Sequence, residues 1–421
     1  MRPIKGIHLA VLAACALMLL PVVQQAAAQQ KPSDFEVPGS RQAKDIIGAG
    51  ALKGEHYRIR DLVLNDGYTD RWTVDSDYGA FEVAGDGALR KLLVEIRALA
   101  ELQKVKKSKA YVDGLKGAVK APIELTKSLI TNPVDTVTGV PKGFYALMEN
   151  VGTSATSTQD PSEDARYAQA LKMSSFKRDY ADKLDVDVYS SNKVLQKELN
   201  SVAWASTVGD LTFSVAMLPA GVGGSVASNV RIANSVKNAV KYEPPARLRI
   251  INGEKLEKIG IPEDLRKRYL DHPAFTPYHD TVIAANLEAL NGVAGLDNFL
   301  SLAVTAEDET QANFYTAMAQ MLRGYHETVA KLTRISVVGR FTVAQTAGGQ
   351  AFIALPVDRL VWTSRVFVVS DSLKSSYKQP DFNGKFDLWV MGTLSPRARQ
   401  ELENRNFTVV EKVNTRVEIL D

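Results

Sequence analysis

Near residue 85 the apolar period of the chain changes from two to about 3.6, and that change constrains the fold more than any other feature. Before it, Tyr57-Arg58-Ile59-Arg60 and Arg71-Trp72-Thr73-Val74 alternate, and Asn65-Asp66-Gly67 and Ser76-Asp77-Tyr78-Gly79 are turn signals. Ala80–Ala84 completes an expected three-strand meander. After it, Leu89, Leu92, Leu93, Ile96, Leu99 and Ala100 recur at i, i+3, i+4 and i+7, which predicts a helix over 87–105. Lys91–Glu95 and Arg97–Glu101 fall at i,i+4 on its polar side. A meander with one apolar face and a helix with one apolar stripe need each other as cover, so the two are expected to pack together.

Further on, the pattern is less regular. Lys104, Lys106, Lys107, Lys109, Lys116 and Lys120 form a basic stretch, with nine positive against three negative residues from Arg90 to Lys120. Such a density suits a solvated helix face or anionic lipid headgroups. Tyr111 is its only aromatic residue, so no stacking platform for single-stranded nucleic acid is expected. Pro122, Pro133 and Pro141 punctuate short helical pieces, and GTSATSTQDPSED (152–164) reads as a linker.

Helices are predicted over 165–183, 192–218, 225–241, 263–271, 280–291 and 306–333, separated by Pro219, Pro244-Pro245, Pro262, Pro273 and Pro277. Strands are predicted over 335–343, 351–355, 365–369, 386–391 and 407–411, with Gly348-Gly349 turning the first two. Ser395 and Pro396 have the chemistry of an N-cap and first position for a helix reaching about Asn404. No internal repeat is present. The expected fold is therefore α+β. Residues 29–50 are a tether, 51–151 the meander with its helix and basic segment, 165–334 a helical domain, and 335–421 a small C-terminal α/β unit.

Composition fits a folded chain, with 45% hydrophobic and 24% charged residues among 421. The start is different. Arg2 and Lys5 precede an apolar run from Ile7 to Val23 that closes on Ala26-Ala27-Ala28-Gln29, the pattern of a secretory signal peptide cleaved after Ala28. Its removal takes the net charge from +3 to about +1, leaving no global electrostatic case for nucleic acid. The sole cysteine, Cys15, lies inside this segment. Leu12-Ala13-Ala14-Cys15 also reads as a lipobox, although Ala16–Val23 stays apolar where a lipoprotein turns polar. Cleavage after Ala28 leaves a cysteine-free chain, without disulfides or thiolate chemistry. Val202–Ser228 is the most apolar later stretch. Asp210 and Pro219 interrupt it, so a buried helix and turn are expected rather than a membrane span.

Catalytic signatures are incomplete. His326-Glu327 begins a zinc helix, but Ala330 stands where the second histidine belongs. There is no phosphate-binding G-x-x-x-x-G-K-[ST] loop and no G-x-S-x-G elbow. Gly48-Ala49-Gly50 with Gly54 lacks the dinucleotide spacing. Asp75-Ser76-Asp77-Tyr78-Gly79 lacks the fifth ligand and the sixth-position glycine of a calcium loop. What remains is DHPAFTPYHD, where His272, His279 and Asp280 offer acid–base or metal vocabulary in a proline-rich connector; the structural alternative is helix capping. Thr393, Ser395, Arg397 and Arg399, at a strand-to-helix turn, are candidates for holding an anion. No metal site and no cofactor is expected.

LNDGYTDRWTVDSDYGAFEVAGDGAL (Leu64–Leu89) and NPVDTVTGVPKG (Asn132–Gly143) resemble a set of uncharacterised exported bacterial proteins. The resemblance extends over most of the chain beyond the leader and implies no activity, substrate or catalytic residue. The resulting expectation is a periplasmic or extracellular envelope protein, non-enzymatic, acting through binding or structural interaction. Its partner would be another envelope protein or a membrane surface met peripherally. The alternative is a hydrolase-type enzyme using the His272, His279 and Asp280 group.

Overall fold

A computed structural model describes residues 34–117, 161–210, 212–214, 230–339, 341–417 and 419–420. The fold is α+β: an N-terminal antiparallel sheet on a long helix, a helical middle and a C-terminal mixed sheet. The expected linker up to residue 160, most of the Val202–Ser228 stretch and the Asn132–Gly143 motif lie outside the described residues.

The N-terminal sheet has five strands rather than three. These are β1 (Ser40–Gln42), β2 (Tyr57–Ile59), β3 (Leu62–Asn65), β4 (Asp70–Ser76) and β5 (Gly79–Ala84). β4 is central: β5 pairs along one edge, while β3 and β2 share the other, and β1 pairs β3. The expected tether over 29–50 is corrected across its described part, because Ser40–Gln42 is β1 and the short helix α1 (Ala43–Ile47) buries Ala43. A three-residue strand is too short for alternation to show in the sequence.

Helix α2 (Asp86–Lys106) lies under this sheet. Leu89, Leu92 and Ile96 pack on Ile59, Val63, Trp72 and Val74, and Leu93 is at the margin. Further along, Leu99, Leu102 and Val105 enter a second core with α3 (Lys109–Gly117), α4 (Pro161–Lys183) and α5 (Lys193–Gly209). One helix therefore serves two cores. α5 ends at Asp210, whose left-handed backbone (φ 49°) caps it. No described helix is long and apolar enough to cross a membrane.

Next come α6 (Val230–Tyr242), α7 (Pro245–Lys258), α8 (Glu263–Leu270), α9 (Pro277–Glu288), α10 (Leu296–Ala303) and α11 (Glu309–Thr328). α7 and α10 were not foreseen. Pro244-Pro245 does separate α6 from the helix that follows, with Pro245 in the first turn of α7, where its missing N–H is harmless. Strands β6 (Leu332–Val338), β7 (Phe341–Thr346) and β8 (Ala351–Leu355) follow, so the single strand expected over 335–343 is two, and the helix expected to 333 stops at Thr328. Short β9 (Arg359–Leu360) pairs β11 (Thr393–Leu394). β10 (Phe386–Val390) lies parallel to both β8 and β12 (Phe407–Val410), giving the order β12-β10-β8-β7-β6.

The crossovers are α12 (Ser364–Ser376) and α13 (Pro396–Glu403). The strand expected over 365–369 is the first turn and a half of α12. Its β-branched run misleads, but the Thr363 hydroxyl accepts the Val366 N–H at 3.3 Å and Val366, Phe367, Ser370 and Leu373 are buried at helical spacing. The boundary expected at 334/335 is a change of secondary structure and not of core. Leu287, Phe299, Met321 and Tyr325 of the helices share one cluster with Ile335, Phe352 and Trp389 of the sheet.

Ile96 is fully buried between α2 and the sheet. Ile96→Ala is expected to lower unfolding free energy by about 2–5 kcal/mol in urea denaturation. Leu62→Ala, at a residue 53% exposed on β3, should change it by less than about 0.5 kcal/mol. Equal effects would place the α2 stripe outside the core.

Candidate functional site

A cleft of about 600 Å³ opens where the three parts of the chain meet. β5 and the first half of α2 form one wall. The loop entering α5, the start of α9 and the first turns of α11 form the other, and Asp358 and Met391 of the C-terminal unit complete the lining. The lining mixes apolar Phe81, Val83, Leu92 and Phe314 with charged Lys91, Glu95, Glu309 and Asp358.

Charge within these walls is locally matched. Lys91 Nζ lies 3.3 Å from Asp187 Oδ2 and 3.9 Å from Glu309 Oε1. Burial pulls the Lys91 pKa down, but Asp187, Glu95 and Glu309 together outweigh it and leave it above the ordinary lysine value. Glu95, expected as the exposed partner of Lys91, is buried instead. Its Oε1 accepts the Ser190 hydroxyl at 2.5 Å and its Oε2 the Asn192 amide at 2.9 Å. Burial raises its pKa against those bonds and the Lys91 charge. Asn192 in turn caps α5, accepting from Val194 and Leu195. Glu95 thus ties α2 to the start of α5 and fixes the width of the cleft on that side.

His279 is at the first turn of α9 and lines the cleft. Its Nδ1 accepts the Thr276 N–H at 3.1 Å, while Thr276 Oγ1 accepts the His279 N–H at 3.4 Å, so the pair is a capping box. With Nδ1 an acceptor, Nε2 carries the proton and donates to Asn313 Oδ1 at 2.8 Å. Burial lowers the His279 pKa, favouring this neutral tautomer. Both ring nitrogens therefore have protein partners.

The other sequence candidates are elsewhere. Asp280 follows His279 on α9, and successive helical residues point about 100° apart. It faces Tyr269 of α8, interacting with the hydroxyl without completing a well-aligned bond. His272 Nδ1 accepts the Ala274 N–H at 3.3 Å and its ring meets Phe275 edge-on. His326 Nδ1 accepts the Leu332 N–H at 3.1 Å. The structure thus brings His279 to the cleft and leaves His272 and Asp280 outside its lining. Among the described residues, no three His, Cys, Asp or Glu side chains converge as metal ligands.

At the candidate anion site the negative groups are the chain's own. Ser395 caps α13 through the Ala398 N–H (3.0 Å) and donates its hydroxyl to Glu36. Glu411 accepts from the Leu394 N–H and from Arg399, which also lies 3.8 Å from Glu403. Thr393 pairs Arg359 between β11 and β9, and Arg397 is half-buried on α13.

The residues that shape the cleft, Lys91, Asp187, Glu95, Asn192, Asn313 and Asp358, were missed as a group because they come from distant segments. The signal that could have corrected the polar-side placement of Glu95 is its position, one before Ile96 and three after Leu92, inside the arc of the apolar stripe. No family model, no curated protein and no solved structure matches the chain.

Burial pushes the Asp280 carboxyl up to about 8, against the Tyr269 interaction and the Arg249 charge. A carboxyl with a folded pKa above its unfolded one favours the fold while protonated, so its stabilising effect is complete below about pH 4 and fades as pH rises towards 8. Asp280→Asn is expected to remove this loss, so that the variant gains stability relative to wild type as pH rises through that window. Parallel stability curves for the two proteins would contradict the assignment.

Proposed function

We propose that this chain is an exported envelope protein that works by binding, with the central cleft as its binding surface. Export is supported by the basic start, the apolar run and the Ala26–Ala28 box. Its partner is another envelope protein or a membrane surface met peripherally. The observation that carries binding over catalysis is the commitment of the polar groups in the cleft. His279 has both nitrogens bonded, Lys91 faces Asp187 and Glu309, and Glu95 holds Ser190 and Asn192. Each fixes a wall, and none forms the nucleophile–base pair that acyl or phosphoryl transfer requires. A concave surface with an apolar lining and oriented polar groups is suited to recognition.

Two measurements test this. Intact-mass analysis of protein from the envelope fraction should show a chain beginning at Gln29, whereas an acylated chain beginning at Cys15 would replace cleavage with lipidation. Thr310→Trp places an indole at the exposed mouth of the cleft. It is expected to weaken co-sedimentation with washed host envelopes about tenfold or more while leaving thermal stability near wild type. Undiminished association would remove the cleft from the binding surface. Turnover of ester, phosphoester, glycoside or peptide substrates that His279→Gln abolishes without unfolding would overturn the binding reading in favour of hydrolysis.

A further inference from the structure

β5 is an edge strand, and its open side lines the cleft. It pairs β4 without a register shift from Ser76↔Gly79 to Arg71↔Ala84, and among the described residues it pairs no other strand. Hydrogen-bonded and non-bonded pairs alternate along an antiparallel ladder. The Gly85 N–H bonds Asp70 O at 2.8 Å, one step beyond Arg71↔Ala84, and this fixes the parity. Gly79, Phe81 and Val83 therefore direct their backbone groups to β4. Ala80, Glu82 and Ala84 direct theirs outward. None of these three has a backbone partner on that side among the described residues.

Soluble proteins usually blunt such an edge with proline, lysine, a bulge or a covering segment. β5 has none of the first three. It is six residues long, roughly 20 Å at about 3.4 Å per residue, and Glu82 is its only charge. The one charged side chain on this edge is acidic. Glu82 is exposed on the edge itself, while the other acidic groups of the lining are engaged within the chain: Glu95 by Ser190 and Asn192, Glu309 by Lys91, and Asp358 by the Asp70 and Asp86 N–H groups. On the inner side, Phe81 and Val83 are anchored on the α2 core, so the edge is presented by a rigid element.

We propose that β5 is a docking edge for an extended, lysine- or arginine-bearing segment of a partner protein, which adds as a sixth strand inside the cleft. Main-chain bonds to Ala80, Glu82 and Ala84 supply affinity, and the exposed Glu82 carboxylate on the edge selects basic side chains over acidic ones. This rests on the cleft being the binding surface and names the class of partner.

The test uses the chain beginning at Gln29 and a fluorescein-labelled seven-residue peptide of alternating valine and lysine, with a glutamate-for-lysine version as control. The basic peptide is expected to bind about tenfold or more tightly than the acidic one. Glu82→Pro removes one outward N–H while leaving the β4 ladder whole, and is expected to weaken binding about tenfold at near-normal stability. Glu82→Gln keeps the N–H and should lose only the charge-dependent part. Hydrogen exchange keeps the proposal testable if the proline variant does not fold. The amides of Ala80, Glu82 and Ala84 should exchange fast in the free protein and become protected with peptide, while Phe81 and Val83 are protected throughout. Protection of the outward amides in the free protein, concentration-independent or through self-association, would overturn the proposal, as would equal binding of both peptides. If the peptide fails while Thr310→Trp still releases the protein from envelopes, the strand-docking proposal falls and the cleft reading stands.

Discussion

The carboxylate of Asp358 holds the first and last parts of this chain together. It is half-buried between β8 and β9, and its two oxygens accept the Asp70 N–H at 2.9 Å and the Asp86 N–H at 3.0 Å. Those amides are at the start of β4 and the start of α2, so one side chain fixes both the central strand of the N-terminal sheet and the helix beneath it. Left without that acceptor, each buried N–H would cost about 1–3 kcal/mol. Burial, with the Asp86 charge next, pushes the Asp358 carboxyl up to about 7 despite both bonds. The contact is reinforced from the backbone. Tyr68 O accepts the Asp358 N–H, Gly67 O accepts the Val361 N–H, and the Glu36 N–H donates to Trp362 O. Close approach is also built in, since a Cβ at Gly392 would lie 1.8 Å from Asp358 O.

The cleft follows from this clamp. With the N-terminal sheet held to the C-terminal unit, β5 has to face α11 and the loop before α5 across a gap that no described side chain fills. The gap is kept open by polar groups that are expensive to bury and therefore matched in place: Glu95 by Ser190 and Asn192, and Lys91 by Asp187. A continuous apolar contact between these walls would have closed the space. The acidic cluster at the clamp, Asp358 with Asp86 and Asp70, is tolerated because Arg41 pairs Asp70 and the Trp72 indole N–H reaches Asp86 at 3.0 Å.

Local order was legible in the sequence, while long-range order was not. The stripe of α2, the Asn65-Asp66-Gly67 and Ser76–Gly79 turns and the Ser395-Pro396 cap depend on neighbours within a few residues, and all are present as expected. α12 was misread because Val366-Phe367-Val368-Val369 has strand composition, and only the Thr363 cap and the wider burial spacing overrule it. β1 and β3 are stabilised by pairing across some twenty residues, which no local window contains. In one dimension the His272, His279 and Asp280 group offers either chemistry or helix capping. Helical geometry sends the His279 and Asp280 side chains to different neighbours, and capping accounts for His279.

Local unfolding measured at two places tests the clamp most directly. Native-state hydrogen exchange against urea, followed at Val74 in β4 and Leu388 in β10, should give wild type one common opening free energy. In Asp358→Ala, Val74 should open at lower urea than Leu388, because the N-terminal sheet has lost its tie to the C-terminal unit. If the two residues still open together in the variant, or already open separately in wild type, the carboxylate neither joins these parts nor sets the cleft between them.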